Sequence, residues 1–78
     1  MKFIIYSKDD CPVCDDAIKY MESKGLDFEV LKFGVDFTAE EFFAKVPPGI
    51  RAVPQIFRGK QYIGGFLAFK QWFEKSGH

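Results

Sequence analysis

An apolar run with no helical period, Lys2 to Ser7 (KFIIYS), gives way after a short polar turn to a segment with the 3.6-residue period. The first reads as a buried strand and the second as an amphipathic helix. Pro12 falls at the first helical position, where its missing N–H costs nothing and its fixed φ fits. Cys14, Ala17, Ile18 and Met21 then follow the i, i+3, i+4, i+7 spacing of a core-facing stripe. Asp15 and Asp16 in the first turn, Lys24 in the last and Gly25 after it have the order that the helix dipole and C-cap chemistry favour. Asp27 to Phe33 (DFEVLKF) is a second β-rich run. Strand, helix and strand in this succession ask for a parallel pair joined by a right-handed crossover.

The remainder must complete that sheet. Thr38 and Glu41 form a capping box at the head of FTAEEFFAKV, with Phe37 and Phe42 at the hydrophobic-staple positions, and Pro47-Pro48-Gly49 ends this short helix. VPQIFR and KQYIG are two short strands around the turn Arg58-Gly59-Lys60. In GFLAFKQWFEKSG, Phe66, Phe69, Trp72 and Phe73 recur at helical spacing, and Gly77 and His78 read as a solvated, fraying tail. The order is β-α-β-α-β-β-α. One α/β domain over residues 1–78, with a mixed sheet flanked by helices on both faces, is the simplest packing. A chain of 78 residues buries only about 0.6 of its unfolded surface, so the core must be rich. The 47% hydrophobic content and ten phenylalanines supply it.

Lys plus Arg and Asp plus Glu both total 11, without the basic excess of a nucleic-acid binder. No stretch resembles a secretory h-region or reaches the roughly 18 apolar residues of a membrane span, so the expectation is a soluble, cytoplasmic protein. That compartment bears on the only two cysteines, Cys11 and Cys14. Cytosolic thiols are kept reduced, and so small a loop gains little from a structural disulfide. Structural zinc needs four ligands, where the chain offers two cysteines and one terminal histidine. A cluster bridging two chains stays open as a third reading. Cys11 falls at the strand–helix junction, where unpaired N–H groups stabilise a thiolate. An exposed, low-pKa Cys11 and a core-facing Cys14 suit thiol–disulfide exchange. Asp9, Asp10, Asp15 and Asp16 oppose the depression of that pKa, and Lys8 favours it.

With a C-x-x-C pair at a strand–helix junction in this element order, the chain resembles the glutaredoxins of the thioredoxin-fold superfamily over nearly its whole length. KDDCPVC, RAVPQIF and YIGGF carry the resemblance, in the family's order. It implies a four-stranded sheet with three helices and a dithiol oxidoreductase in which Cys11 attacks and Cys14 resolves. It also implies that no cofactor is bound and that glutathione serves as the reducing co-substrate. Further implied are a cis Val53–Pro54 bond that lets the Val53 backbone pair with a bound peptide, and Lys8 and Arg51 on the glycine carboxylate of glutathione. Gly64, Gly65 and the helix start at Phe66 would receive the γ-glutamyl carboxylate. The competing accounts are a strand-opening trans proline and two solvated surface charges. The chain departs from many relatives at Val13, where they carry a groove-lining tyrosine, and at Leu67, where they carry an acid. Disulfide-containing proteins, ribonucleotide reductase among them, are the expected partners of a monomer. The alternatives are a redoxin recycled by thioredoxin reductase and an iron–sulfur cluster module.

Overall fold

Side-chain alternation along the first strand decides how the layers stack. Phe3 and Ile5 point to one face of the sheet and Ile4 and Tyr6 to the other, and both sets find apolar neighbours. The computed structural model describes residues 2–75; the expected tail at Gly77 and His78 lies outside them. Its elements are β1 (Phe3–Ser7), α1 (Pro12–Ser23), β2 (Phe28–Lys32), α2 (Ala39–Lys45), β3 (Gln55–Arg58), β4 (Gln61–Gly64) and α3 (Phe66–Lys75). This is the expected β-α-β-α-β-β-α order, in one sheet ordered β2-β1-β3-β4.

β1 and β2 pair in parallel, and the other two pairings are antiparallel. Ala17 and Met21 of α1 and Phe69 and Phe73 of α3 cover one face over Phe3, Ile5 and Ile56. Phe42 and Val46, with Phe37 in front of α2, cover the other over Tyr6 and Phe57. Helices thus flank both faces. Much of the aromatic content fills these two cores edge to face, as in Phe3–Phe69 at 5.5 Å and Tyr6–Phe37 at 4.9 Å.

The helix ends follow the local chemistry closely. In α2 the Thr38 hydroxyl accepts from the Glu41 N–H at 3.2 Å, and the Glu41 carboxylate accepts from the Thr38 N–H at 2.9 Å. Phe37 stacks on Phe42 at 5.8 Å, which completes the staple. After α1, Gly25 takes φ +68°. Its N–H donates to the Glu22 carbonyl and that of Leu26 to the Met21 carbonyl, a Schellman closure. Several expectations shift: β1, β2 and β4 are each trimmed by a residue at one or both ends, to Phe3–Ser7, Phe28–Lys32 and Gln61–Gly64. Lys24 is the C-cap, so the last turn of α1 carries no basic residue, and Asp16 falls past the first turn, which holds Asp15. β3 opens at Gln55, because Pro54 has no N–H to give the ladder.

Removing the α2 cap while keeping the staple isolates its contribution. Thr38→Ala is expected to destabilise the fold by about 0.5–2 kcal/mol in urea unfolding. Thr38→Ser should cost much less.

Candidate active site

Register brings the functional loops together. Ser7, the last residue of β1, pairs with Lys32 at the end of β2, and Tyr6 pairs with Gln55 at the start of β3. Gly64, at the end of β4, faces Ile56. The loops after β1 and β4 and the loop before β3 therefore open at one end of the sheet.

The first loop carries the sulfurs. Asp10 takes φ +55°, a left-handed position that aspartate tolerates better than most residues, and Cys11 follows as the N-cap of α1. The Cys11 Sγ accepts the Cys14 backbone N–H at 3.2 Å. The two cysteines are joined as a disulfide with Cα atoms 5.2 Å apart, within the normal span. The expected exposed Cys11 is corrected here: it is 7% exposed, against 1% for Cys14. Its sulfur lies over the first turn of α1, where it accepts the Cys14 N–H. Val13, one residue before Cys14, is 48% exposed and presents its apolar surface beside the pair.

Charge near the loop also differs from the sequence reading. Asp9 pairs with Lys32 of β2 at 3.1 Å, both side chains being well exposed. The cation that answers the aspartates thus comes from the neighbouring strand. Lys8 and Arg51 are exposed, and neither forms an ion pair among the described residues. Arg51 lines a shallow cleft of about 170 Å3 with Phe43, Ile50 and residues 47–49, which has no cysteine in its walls.

The Val53–Pro54 peptide is cis, as expected. Pro54 is buried and Val53 half-buried. Behind them stands a residue the sequence reading did not single out. Gln55, 7% exposed, donates from Nε2 to the Ala52 carbonyl at 3.0 Å and accepts the Tyr62 hydroxyl at 2.6 Å. It ties the cis-proline loop to β4. Burial pushes the Tyr62 phenol up, so it serves as a neutral donor. The signal for Gln55 was present in RAVPQIF, but its partner is visible only once β3 and β4 are paired.

The two glycines have separate steric reasons. Gly64 takes φ +138°, and a Cβ there would lie 2.8 Å from the Ala68 Cβ. A Cβ at Gly65 would lie 3.5 Å from the Pro54 carbonyl oxygen and 3.8 Å from Gln55 Nε2, so the glycine loop packs directly on the cis-proline loop. Gly65 accepts the Phe69 N–H at 2.9 Å, which makes it the residue that opens α3. Phe66 is half-buried, while Leu67 is 69% exposed. Among the described residues, no group of three or more His, Cys, Asp or Glu side chains is placed to hold a metal ion.

Residues 3–63 match the sequence profile of the glutaredoxin family. The chain belongs to the glutaredoxin family. It is 39% identical to glutaredoxin 3 of Escherichia coli (strain K12) over 61 residues, 78% of this chain and 72% of that protein. It is 33% identical to the glutaredoxin-like protein NrdH of the same organism over 66 residues, 85% of this chain and 79% of that protein. The crystal structure of glutaredoxin 1 from Francisella tularensis superposes with a TM-score of 0.76 at 32% identity, covering 95% of this chain and 93% of the other. The expected thioredoxin fold and dithiol oxidoreductase class both hold. In this glutaredoxin, Cys11 and Cys14 are the redox pair, and their disulfide is its oxidised form. No helix among the described residues is long and apolar enough to cross a membrane.

Gly64→Ala in this glutaredoxin combines a strained φ with a Cβ–Cβ clash. It should lose about 1–3 kcal/mol or more in urea unfolding, while Gly65→Ala, at ordinary contact distance, loses distinctly less. Equal losses would contradict the packing of α3 on this loop.

Proposed function

We propose that this glutaredoxin is a glutathione-dependent reductase of protein disulfides and of glutathione mixed disulfides. Cys11 is the nucleophile and Cys14 the resolving thiol. The observation that carries the assignment is the Cys14 N–H aimed at the Cys11 Sγ from the first turn of α1. A donor fixed on one sulfur stabilises negative charge on that sulfur, so Cys11 becomes the lower-pKa thiol on reduction. Cys14, in the core, is favoured as the neutral thiol.

The chemistry then balances as follows. The Cys11 thiolate attacks one sulfur of a substrate disulfide, forms a mixed disulfide and expels the other sulfur as a thiolate. Cys14, deprotonated, attacks the Cys11 Sγ, releases the second substrate thiol and leaves the Cys11–Cys14 disulfide. One glutathione thiolate cleaves that bond and becomes attached to Cys11. A second glutathione thiolate attacks the glutathione sulfur of that mixed disulfide, forms oxidised glutathione and expels Cys11 as its thiolate, leaving the reduced dithiol. This reading assigns the work to a reducing compartment, the cytoplasm, with the chain acting as a monomer.

Several features support a glutathione groove. Lys8 and Arg51 have ammonium and guanidinium groups available for the glycine carboxylate. The backbone of Val53 lies outside the ladder that begins at Gln55, which leaves it for an incoming peptide. Gly64, Gly65 and Phe66 present the start of α3, whose unpaired N–H groups suit the γ-glutamyl carboxylate. Val13 offers apolar contact where relatives use a ring. Leu67 offers none of the hydrogen bonding of an acid. The identity with the glutaredoxin-like NrdH and the exposed Leu67 favour one second reading, a redoxin recycled by thioredoxin reductase. Turnover with glutathione and glutathione reductase, set against turnover with thioredoxin reductase and NADPH, separates them.

Division of labour is tested by single variants. Cys11→Ser should abolish all reductase activity. Cys14→Ser should block reduction of protein disulfides yet spare removal of glutathione from a mixed disulfide, and iodoacetamide should label Cys11 first in the reduced protein. Preferential labelling of Cys14 would overturn the assignment.

Leu67→Asp tests the groove. A charge-assisted hydrogen bond of about 1.5–3 kcal/mol corresponds to roughly tenfold or more in affinity. The apparent KM for glutathione should fall by about that factor with little change in maximal rate. The acid also sits in the first turn of α3, so stability should rise by about 0.3–1 kcal/mol whichever donor is used. A stability gain with no change in KM would remove this position from the groove.

A further inference from the structure

On the face that α2 covers, Ile4, Tyr6, Lys45, Phe57, Gly59 and Lys60 enclose a cleft of about 290 Å3 with no cysteine in its walls. Its floor is apolar, since Ile4 and Phe57 are cross-strand partners on β1 and β3. Its rim is cationic. Lys45 ends α2 and Lys60 sits in the turn between β3 and β4. Neither takes part in an ion pair among the described residues.

Tyr6 supplies a second, independent sign of a ligand. It is 6% exposed, yet its hydroxyl has no hydrogen-bond partner among the described residues, where Tyr20 and Tyr62 each have one. No buried polar side-chain atom is left without a partner, so the Tyr6 hydroxyl reaches open space, and the cleft is the space that Tyr6 lines. Edge contacts to Phe37, Phe42 and Phe57 at 4.9, 5.7 and 5.5 Å hold its ring in place. Burial, then the carboxylates of Glu41 and Glu29, hold its phenol above the usual value. It is therefore a neutral donor near pH 7, and neither carboxylate belongs to the walls of the cleft.

We propose that this cleft binds a small carboxylate with a flat apolar body, the carboxylate held by Lys45, Lys60 and the Tyr6 hydroxyl and the body lying over Ile4 and Phe57. Volume and lining argue for such a molecule over a bare oxyanion. An apolar cavity of about 150 Å3 already holds a benzene, and small-molecule sites begin near 300 Å3 with a few placed polar groups on apolar walls. An inorganic anion would satisfy the rim and leave the floor in water. A neutral ring would cover the floor and leave the two ammoniums and the hydroxyl without a partner. The inference is independent of the electron donor, because it uses no residue of the disulfide site.

The test is an amide NMR titration of the full oxidised chain with phenylacetate, phenylacetamide and inorganic phosphate. Phenylacetate should shift the amides of Lys45, Phe57, Gly59 and Lys60 saturably, with the other two binding at least tenfold more weakly. The double variant Lys45→Ala/Lys60→Ala removes only exposed side chains. It should keep the wild-type melting temperature and reductase turnover while its Kd for phenylacetate rises tenfold or more. Tyr6→Phe keeps the ring and should weaken binding by roughly tenfold, as loss of a hydrogen bond to a charged group does. Phenylacetamide or phosphate binding as well as phenylacetate would overturn the proposal. So would unsaturable shifts, or unchanged affinity in either variant.

Discussion

The ladder that β1 makes on both of its edges is the constraint on which the rest depends. As the central strand with β2 on one side and β3 on the other, it fixes both registers at once, and a slip of one residue would exchange its faces. Ile5 is wholly buried among α1 and α3, while Tyr6 is buried under α2. Neither core tolerates the exchange. That locked register carries Cys11, Pro54 and the Gly64-Gly65 pair to one end of the sheet, although they are far apart in sequence.

At that end, the chemistry rests on backbone more than on charged side chains. The sulfur of Cys11 meets an N–H of α1, Gly65 packs on the carbonyl of Pro54, and α3 opens its own N–H groups beside them. Backbone donors at a helix start are fixed by the helix and need no side-chain ordering. The aspartates around the cysteines are exposed, where solvent screens them. Under the proposed function, this arrangement would let a near-neutral chain with an acidic loop favour a thiolate at one sulfur.

The α2 face is built differently from the face under α1 and α3. α2 is short, and its packing depends on the staple and on the Tyr6, Phe37 and Phe42 rings. A helix of two turns cannot cover the whole sheet. The uncovered part, over Ile4 and Phe57, is the cleft between Lys45 and Lys60. One face therefore supports α1 with its cysteine pair, and the other keeps a recess where a buried tyrosine can meet a ligand.

The sequence by itself determined the features that are local. Pro12 and Gly25 bracket α1, the capping box and staple bracket α2, and the changing hydrophobic period gives the element order. Local sterics and short-range hydrogen bonds settle these within a few residues, so they can be read in order along the chain. C-P-V-C at a helix start likewise marks the redox pair, since both sulfurs belong to one turn. The tertiary structure alone decided what depends on distant partners. It set Lys32 and not Lys8 against Asp9, left Cys11 buried, and put Gln55 between the Ala52 carbonyl and the Tyr62 hydroxyl. It also put Tyr6 in the wall of a cleft between two lysines. Each of these follows from which strand lies beside which, and that is fixed by burying both faces of β1 at once, a condition no single segment contains.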